Sequence, residues 1–175
     1  VASADVPRED QIDEALTLNQ LGTLYSGIGD YHEAIRIFDR GLQQRPDEIS
    51  LLVNKGVALR NLGLLDEARV VMELAITAEK AAAAQPSVAL LNNLGLVELD
   101  AGRLDEAETW FKLTMETYDR SMKADSVRVD GSTGPPQHMR VVAEDQGGIY
   151  GLIESNLLKV QDARNRKQNP ARLIL

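Results

Sequence analysis

The fold is decided by residues 18–38, which read LNQLGTLYSGIGDYHEAIRIF. In this stretch a small residue in one segment is followed at fixed distances by a bulky residue, an alanine and a large apolar residue. The pattern occurs three times, as Gly22, Tyr25, Ala34 and Phe38, as Gly56, Leu59, Ala68 and Met72, and as Gly95, Ala107 and Phe111. The successive glycines are 34 and 39 residues apart. A period of this length is typical of stacked helical hairpins.

Helical periodicity and turn residues divide each period into two helices. Apolar residues at helical spacing predict a helix over about 11–27 and a second over 31–44. Asp30 is placed to cap the second helix, with Glu33 three residues later, as in a capping box. Glycines mark the turns of the three hairpins, at Gly29, Gly63 and Gly102.

The second period contains five extra residues, and the run over 79–84 carries four alanines. Because alanine strongly favours helix, the extra length predicts a longer helix that stops before Pro86. An insertion in the connecting loop is the alternative.

The recurring residues resemble those of the tetratricopeptide repeat (TPR) family. In that family a glycine and an alanine allow two helices to cross closely, and a large residue locks the pair. Pro46 matches the family's closing proline, whereas Glu98 and Lys80 stand where an aromatic residue and a second proline are expected. The resemblance implies an all-α, right-handed solenoid of three helical hairpins, followed by a C-terminal capping helix.

The prediction assigns every part of the chain. A lead-in over 1–10 precedes three repeats within 11–123, and the remaining residues form a loop, the capping helix and a basic and apolar tail. The expected ranges are 15–48, 49–82 and 88–121 for the repeats, 124–143 for the loop, 144–165 for the capping helix and 166–175 for the tail.

Composition restricts the classes of function. The 175 residues contain no cysteine, so disulfides and thiolate metal sites are absent, and no cofactor is expected. Net charge is −8 overall, with 10 basic against 21 acidic residues over 1–119 and 9 against 6 over 120–175. The repeat region should therefore repel nucleic acid and anionic membranes. No segment reaches transmembrane length, so a soluble chain is expected, compatible with a reducing compartment or an organelle interior.

The resemblance also implies that first helices line a concave groove that binds a protein segment. The residues that face this groove lie three before, two before and one after each glycine, and two more lie further along the first helix of the second repeat. The candidate peptide-binding residues are Asn19, Gln20, Thr23, Asn54, Arg60, Asn61, Asn92 and Asn93. Such amides are able to bond the backbone of an extended peptide. The alternative is that they bond neighbouring helices or water.

Some members of the family hold the C-terminal carboxylates of Hsp70 and Hsp90 with a clamp of Lys, Asn, Asn, Lys and Arg. The positions that match this clamp are occupied by Asn19, Thr23, Asn54, Ala89 and Asn93. Only Asn54 agrees, and all three cations are missing. Because pairing with a carboxylate depends on those cations, no clamp of this kind is expected.

Catalysis has little support in the sequence. The two histidines, His32 and His138, lie far apart, and neither a catalytic triad nor a phosphate-binding loop is recognisable. The chain is expected to be a non-catalytic adaptor or assembly factor, part of a multiprotein assembly. The alternative is a permanent subunit of a large complex, docked through the loop and the tail. Candidate docking residues are Trp110, Leu173, Ile174 and Leu175.

Overall fold

The computed structural model is all-helical in the residues that it describes, which are 9–82, 84–127 and 148–168. Side chains are described over 14–82, 84–122 and 148–168. The helices are α1 (Glu9–Gly27), α2 (Tyr31–Gln44), α3 (Ile49–Asn61), α4 (Leu65–Ala81), α5 (Val88–Asp100), α6 (Leu104–Val127) and α7 (Gly148–Gln168). The predicted all-α class of three hairpins and a capping helix is confirmed.

Helix ends differ from the sequence-based expectations in three places, and the fourth helix meets its expectation in part. The first helix begins at Glu9, inside the expected lead-in. The fourth helix has 17 residues against 14 in α2 and ends before Pro86, as expected, but it already ends at Ala81, so the extra residues lie partly in the helix and partly in the connection that follows it. The sixth helix extends to Val127, so residues 124–127, which were expected in the loop, are helical. The capping helix is described over Gly148–Gln168 and so extends past the expected end at 165, whereas its expected start over 144–147 lies outside the described part.

The helices belong to two compact units, residues 1–85 and 86–175. In the first unit, α1 packs against α2, α2 against α3 and α3 against α4. One core cluster is built from α2 and α3, with Ala34, Phe38, Leu51 and Ala58 at its centre. The sequential packing of helix on helix is what a repeat architecture requires, because each hairpin buries its apolar face against the next element.

The second unit consists of the third hairpin and the capping helix. Helix α5 packs against α6, and α7 packs against both. The core joins Ala107 and Phe111 of α6 to Ile153 and Val160 of α7, all nearly or fully buried. Tyr118 of α6 and Tyr150 of α7 add an edge-to-face contact, with ring centroids 5.1 Å apart. Helix α7 therefore covers an apolar face of the third hairpin.

Each hairpin is closed by one contact between a glycine and the large residue of the second helix. A methyl group added at Gly22 would lie 2.4 Å from Phe38 Cε1, and one at Gly95 would lie 2.4 Å from Phe111 Cε1. In the second hairpin Met72 Cγ takes this place, 2.7 Å from the position of a Cβ on Gly56. No side chain fits at these three positions without displacing a buried residue.

Local hydrogen bonds fix where the second helices begin. The carboxylate of Asp30 accepts from the backbone N–H of Glu33 at 3.1 Å, so the predicted N-cap is confirmed. The return bond of a capping box is replaced by an ion pair, because the Glu33 carboxylate accepts from the Arg36 guanidinium. This contact lowers the pKa of Glu33.

The structure explains why a glutamate is able to occupy position 98, where the family pattern has an aromatic residue. Its side chain is 2% exposed, and its carboxylate is paired with the guanidinium of Arg103, five residues later, past the turn of the hairpin. Arg103 precedes α6, and its backbone N–H also donates to the Glu98 carbonyl at 2.9 Å. A buried carboxylate, paired with a half-buried guanidinium, thus occupies the place that Tyr25 and Leu59 hold in the other repeats.

We expect Gly95→Leu to destabilise the chain by about 3 kcal/mol, because a side chain there overlaps the Phe111 ring. Thermal unfolding followed by circular dichroism should show a melting temperature lower by roughly 6–12 °C. The control is Gly151→Ala in α7, where nothing lies within 4 Å of an added Cβ. This control should gain about 0.5–1 kcal/mol. An unchanged melting curve for Gly95→Leu would contradict the packing described here.

We expect Arg103→Met to cost about 3 kcal/mol, because it removes the guanidinium that pairs with the buried Glu98 carboxylate. The double variant Glu98→Leu, Arg103→Met should recover most of this loss, since an apolar pair of similar volume avoids the desolvation of both charges. Urea unfolding of the two variants and the parent chain measures the difference. Equal losses in the single and the double variant would show that the ion pair is not the cause.

Candidate functional site

Three of the predicted peptide-binding residues are brought together in the first unit. Asn54 Nδ2 of α3 donates to Asn19 Oδ1 of α1 at 2.8 Å and lies 3.4 Å from Thr23 Oγ1. Thr23 Oγ1 in turn donates to the Asn19 carbonyl at 2.8 Å. We call Asn19, Thr23 and Asn54 the first amide patch. It joins two first helices through side-chain amides on the face that was expected to bind peptide.

A second group of amides lies in the other unit. Asn156 Nδ2 of α7 donates to Asn92 Oδ1 of α5 at 3.0 Å, and Lys159 Nζ donates to Asn156 Oδ1 at 3.0 Å. The Asn156 side chain is fully buried, whereas Lys159 is exposed. We call Asn92, Asn156 and Lys159 the second amide patch. Its only charge comes from Lys159, a residue that no sequence pattern indicated.

The two patches share one geometry. In each, the residue three before a glycine, Asn19 or Asn92, accepts from an asparagine on another helix. Asn54 lies two before Gly56, and Asn156 lies two before Leu158. Helix α7 therefore contacts α5 as α3 contacts α1, and it takes the role of a further first helix.

The sequence contained a signal for this role. Residues 156–158 read Asn-Leu-Leu, close to Asn93-Leu94-Gly95 of the third repeat. The period of glycines does not reveal it because Leu158 stands in the glycine position, and its side chain is 60% exposed. Asn156 and Lys159 are thus the two functional candidates that the sequence pattern did not predict.

Ionic contacts hold α7 in the position that presents Asn156. The Arg164 guanidinium lies 2.5 Å from both Asp105 Oδ1 and Glu108 Oε2 of α6, and Lys167 Nζ donates to the Gly102 carbonyl at 3.0 Å. Hydrogen bonds from Lys112 and Arg164 lower the pKa of Glu108, and the carboxylates raise the pKa of Arg164. The second amide patch therefore rests on a helix that is attached by both burial and charge.

The other predicted groove residues lie on the first helices that carry these patches. Gln20 is exposed on α1, Asn93 is half-buried on α5, and Asn61 is exposed at the end of α3. Arg60 is half-buried on the same helix. Asn61 lies seven residues after Asn54, so helical geometry places it on the face that carries Asn54, whereas Arg60 lies six residues after Asn54 and is turned about 120° away.

The predicted docking residues are only partly described. Trp110 is half-buried on α6, and its carbonyl accepts from Thr114 Oγ1 at 2.7 Å. The expected loop residues from 128 onward, and Leu173, Ile174 and Leu175, lie outside the described residues. Docking through the loop and the tail therefore stays a prediction.

No metal centre is found among the residues with described side chains. No group of three or more histidine and carboxylate ligands occurs there. His32 is exposed in the first turn of α2, and His138 is not described. No helix within the described ranges is long and apolar enough to cross a membrane.

Solved structures with a similar fold are TPR domains and a secretion chaperone. The first TPR domain of Spaghetti (RPAP3), bound to the HSP90 peptide SRMEEVD, is 23% identical over 59% of this chain and 79% of that chain, with a TM-score of 0.54. The Sgt2 TPR domain from Aspergillus fumigatus is 17% identical over 89% and 82%, with a TM-score of 0.62. The Yersinia enterocolitica chaperone SycD, in complex with a YopD peptide, is 14% identical over 87% and 95%, with a TM-score of 0.58.

These identities show the fold alone, and the sequence matches none of the curated proteins. Family models give the assignment. One model of the tetratricopeptide repeat matches residues 19–79, and another matches residues 88–127. The two matches include the glycine and the large residue of all three hairpins, and the contacts between them are all formed. The chain therefore belongs to the tetratricopeptide repeat family.

Proposed function

We propose that this chain is a non-catalytic adaptor or assembly factor that binds a segment of another protein on its first helices. TPR domains are protein-interaction modules. The observation that supports the finer proposal is the pairing of amides in both patches, Asn19 with Asn54 and Asn92 with Asn156. These pairs hold polar side chains in fixed positions on the faces where a peptide is expected.

The pairs leave hydrogen-bonding capacity for a ligand. The bond in the first patch uses Asn19 Oδ1 and Asn54 Nδ2, so Asn19 Nδ2 and Asn54 Oδ1 are available to a peptide backbone. In the second patch Asn92 Nδ2 is left in the same way. Because both amides of a pair are already oriented by each other, binding costs less side-chain entropy than it would with mobile amides.

The chemistry of the patches favours an extended segment that is recognised through its backbone over a segment that is recognised through charged side chains. Side-chain amides bond the N–H and C=O groups that every peptide carries, so they make little demand on its side chains. Of the residues in the two patches, Lys159 alone is charged. The similar structures of RPAP3 and SycD hold an HSP90 peptide and a YopD peptide, which agrees with peptide binding by this fold.

A second candidate is a permanent structural subunit of a large complex. The half-buried Trp110 on α6 favours it, since tryptophan often anchors protein interfaces. In that case the loop, Trp110 and the tail contact fixed neighbours, and the amide patches serve only to join helices.

Purification of the native protein without crosslinker, followed by mass spectrometry, separates the two candidates. An adaptor is expected as a mostly free chain with substoichiometric clients. The double variant Gln20→Ala, Asn61→Ala removes two exposed amides from the helices that carry the first amide patch and should weaken client binding. Loss of two hydrogen bonds at about 1 kcal/mol each predicts roughly a 30-fold weaker interaction.

The matched control is Gln43→Ala, Gln44→Ala, which removes two exposed amides from the second helix α2. It should leave client binding unchanged. A single large particle of fixed stoichiometry, unaffected by either double variant, would support the structural subunit and contradict the adaptor.

We also propose that the chain lacks the chaperone carboxylate clamp. Two of the five matching positions, Asn19 and Asn54, bond each other, and the others hold Thr23, Ala89 and Asn93. None supplies the cation that a carboxylate requires. A peptide ending in Glu-Glu-Val-Asp should therefore show no saturable binding by calorimetry at concentrations below about 1 mM, equivalent to about −4 kcal/mol. A TPR domain of the clamp type is the positive control, and micromolar binding by this chain would refute the proposal.

A further inference from the structure

Helix α1 carries an apolar stripe that no other described residue covers. Leu21, Leu24 and Ile28 are 42%, 67% and 73% exposed. Their spacing of three and four residues places them on one face. Glu14, seven residues before Leu21, continues the same line and is also exposed. We call Leu21, Leu24 and Ile28 the α1 stripe.

The corresponding face of α3 shows what such a stripe binds. With the 34-residue period, Thr17, Leu21 and Leu24 correspond to Leu51, Lys55 and Ala58. These three residues of α3 face α2: Leu51 approaches Gly41, Lys55 Nζ lies 2.6 Å from Asp39 Oδ1, and Ala58 is fully buried in the shared core. The face that is open on α1 is thus covered by an amphipathic helix on α3.

The same contacts give the direction of that covering helix. Gly41 of α2 contacts Leu51 of α3, and Asp39 of α2 contacts Lys55 of α3. The residue numbers thus decrease along α2 as they increase along α3. Helix α2 therefore runs antiparallel to α3, with its C-terminal end beside the N-terminal half of α3. A helix seated in the same way on α1 would place its last turn near Glu14.

Charge defines the chemistry of the partner. Helix α1 contains four acidic residues, all in its first six positions, and no lysine or arginine. A helix C-terminus carries partial negative charge and is stabilised by basic residues in its last turn. If the last turn of the partner helix lies near Glu14, basic residues in that turn also pair with the Glu14 carboxylate. If two copies of α1 packed antiparallel, the acidic residues of each would lie beside a last turn that contains no basic residue.

We infer that the α1 stripe is a second docking surface, which binds an amphipathic helix of another protein antiparallel to α1. The partner helix carries apolar residues at spacings of three and four and lysine or arginine in its last turn. This surface is separate from the amide patches and does not depend on the peptide binding proposed above.

The test uses a peptide derived from α2, because α2 is the helix that covers the equivalent face. The probe is a fluorescein-labelled peptide of residues 31–44 that carries Asp39→Leu, Gln43→Lys and Gln44→Lys. The change at position 39 is made because this position would contact Leu21 of α1 in place of Lys55 of α3. A matched peptide carries Gln43→Glu and Gln44→Glu. Fluorescence anisotropy with the full chain should show saturable binding of the lysine peptide, roughly fivefold tighter than that of the glutamate peptide.

Variants of the chain locate the binding surface. Leu24→Glu should weaken the lysine peptide at least roughly tenfold, because it places a carboxylate in the middle of the stripe. Leu16→Glu is the control, since Leu16 is 54% exposed on another face of the same helix. It should change binding less than about twofold, the range of neutral surface substitutions. Both side chains are largely exposed, and circular dichroism checks that both variants fold.

Three outcomes would overturn the inference. The lysine peptide fails to bind, or it binds equally well to the parent chain and to Leu24→Glu. Alternatively, sedimentation equilibrium shows that the chain alone forms a dimer that Leu24→Glu dissociates, in which case the occupant is a second copy. A monomeric chain with stripe-dependent binding of the lysine peptide supports the inference.

Discussion

The contact between a glycine and one large side chain is the constraint on which each hairpin depends. Gly22, Gly56 and Gly95 let the first helix approach the second until Phe38, Met72 or Phe111 fills the remaining space. This contact fixes both the distance between the helices and the rotation of the first helix about its own axis. Every other face of the first helix is then determined, including the one that carries Asn19, Asn54 or Asn92.

The amide pairs follow from this rotation. Once a first helix is fixed by its glycine, the residues two and three positions earlier face the adjacent first helix, and asparagine at both positions closes a hydrogen bond. The pair between α1 and α3 and the pair between α5 and α7 have N–O distances of 2.8 and 3.0 Å. In α7, burial of Ile153 and Val160 and the ion pairs of Arg164 replace the glycine contact. The same polar geometry is thus reached by different packing.

The sequence predicted the elements that depend on local chemistry. The glycine turns at positions 29, 63 and 102 have φ values of 83°, 77° and 72°, a region that other residues rarely adopt, and Asp30 caps α2. It predicted the helix ends less well, because propensity does not show where tertiary packing stops. The alanine run favours helix, yet α4 ends at Ala81. Lys159 was missed because its place in a patch depends on the docking of α7, a long-range contact that no local pattern encodes.

The first helices carry two surfaces with different physics of recognition. The amide patches offer directional bonds and little charge, which suits the backbone of an extended segment. The α1 stripe offers apolar area, which suits a helix that buries side chains. Helices α1 and α7 also differ: in α7 Leu158 occupies the position of the glycine, so a second helix is not able to approach it as closely as α2, α4 and α6 approach Gly22, Gly56 and Gly95. On α1 no described residue blocks the stripe, and its equivalent on α3 is already a helix-binding face. A further helix is therefore able to pack on the stripe of α1, whereas on α7 Leu158 prevents the close approach that a glycine allows.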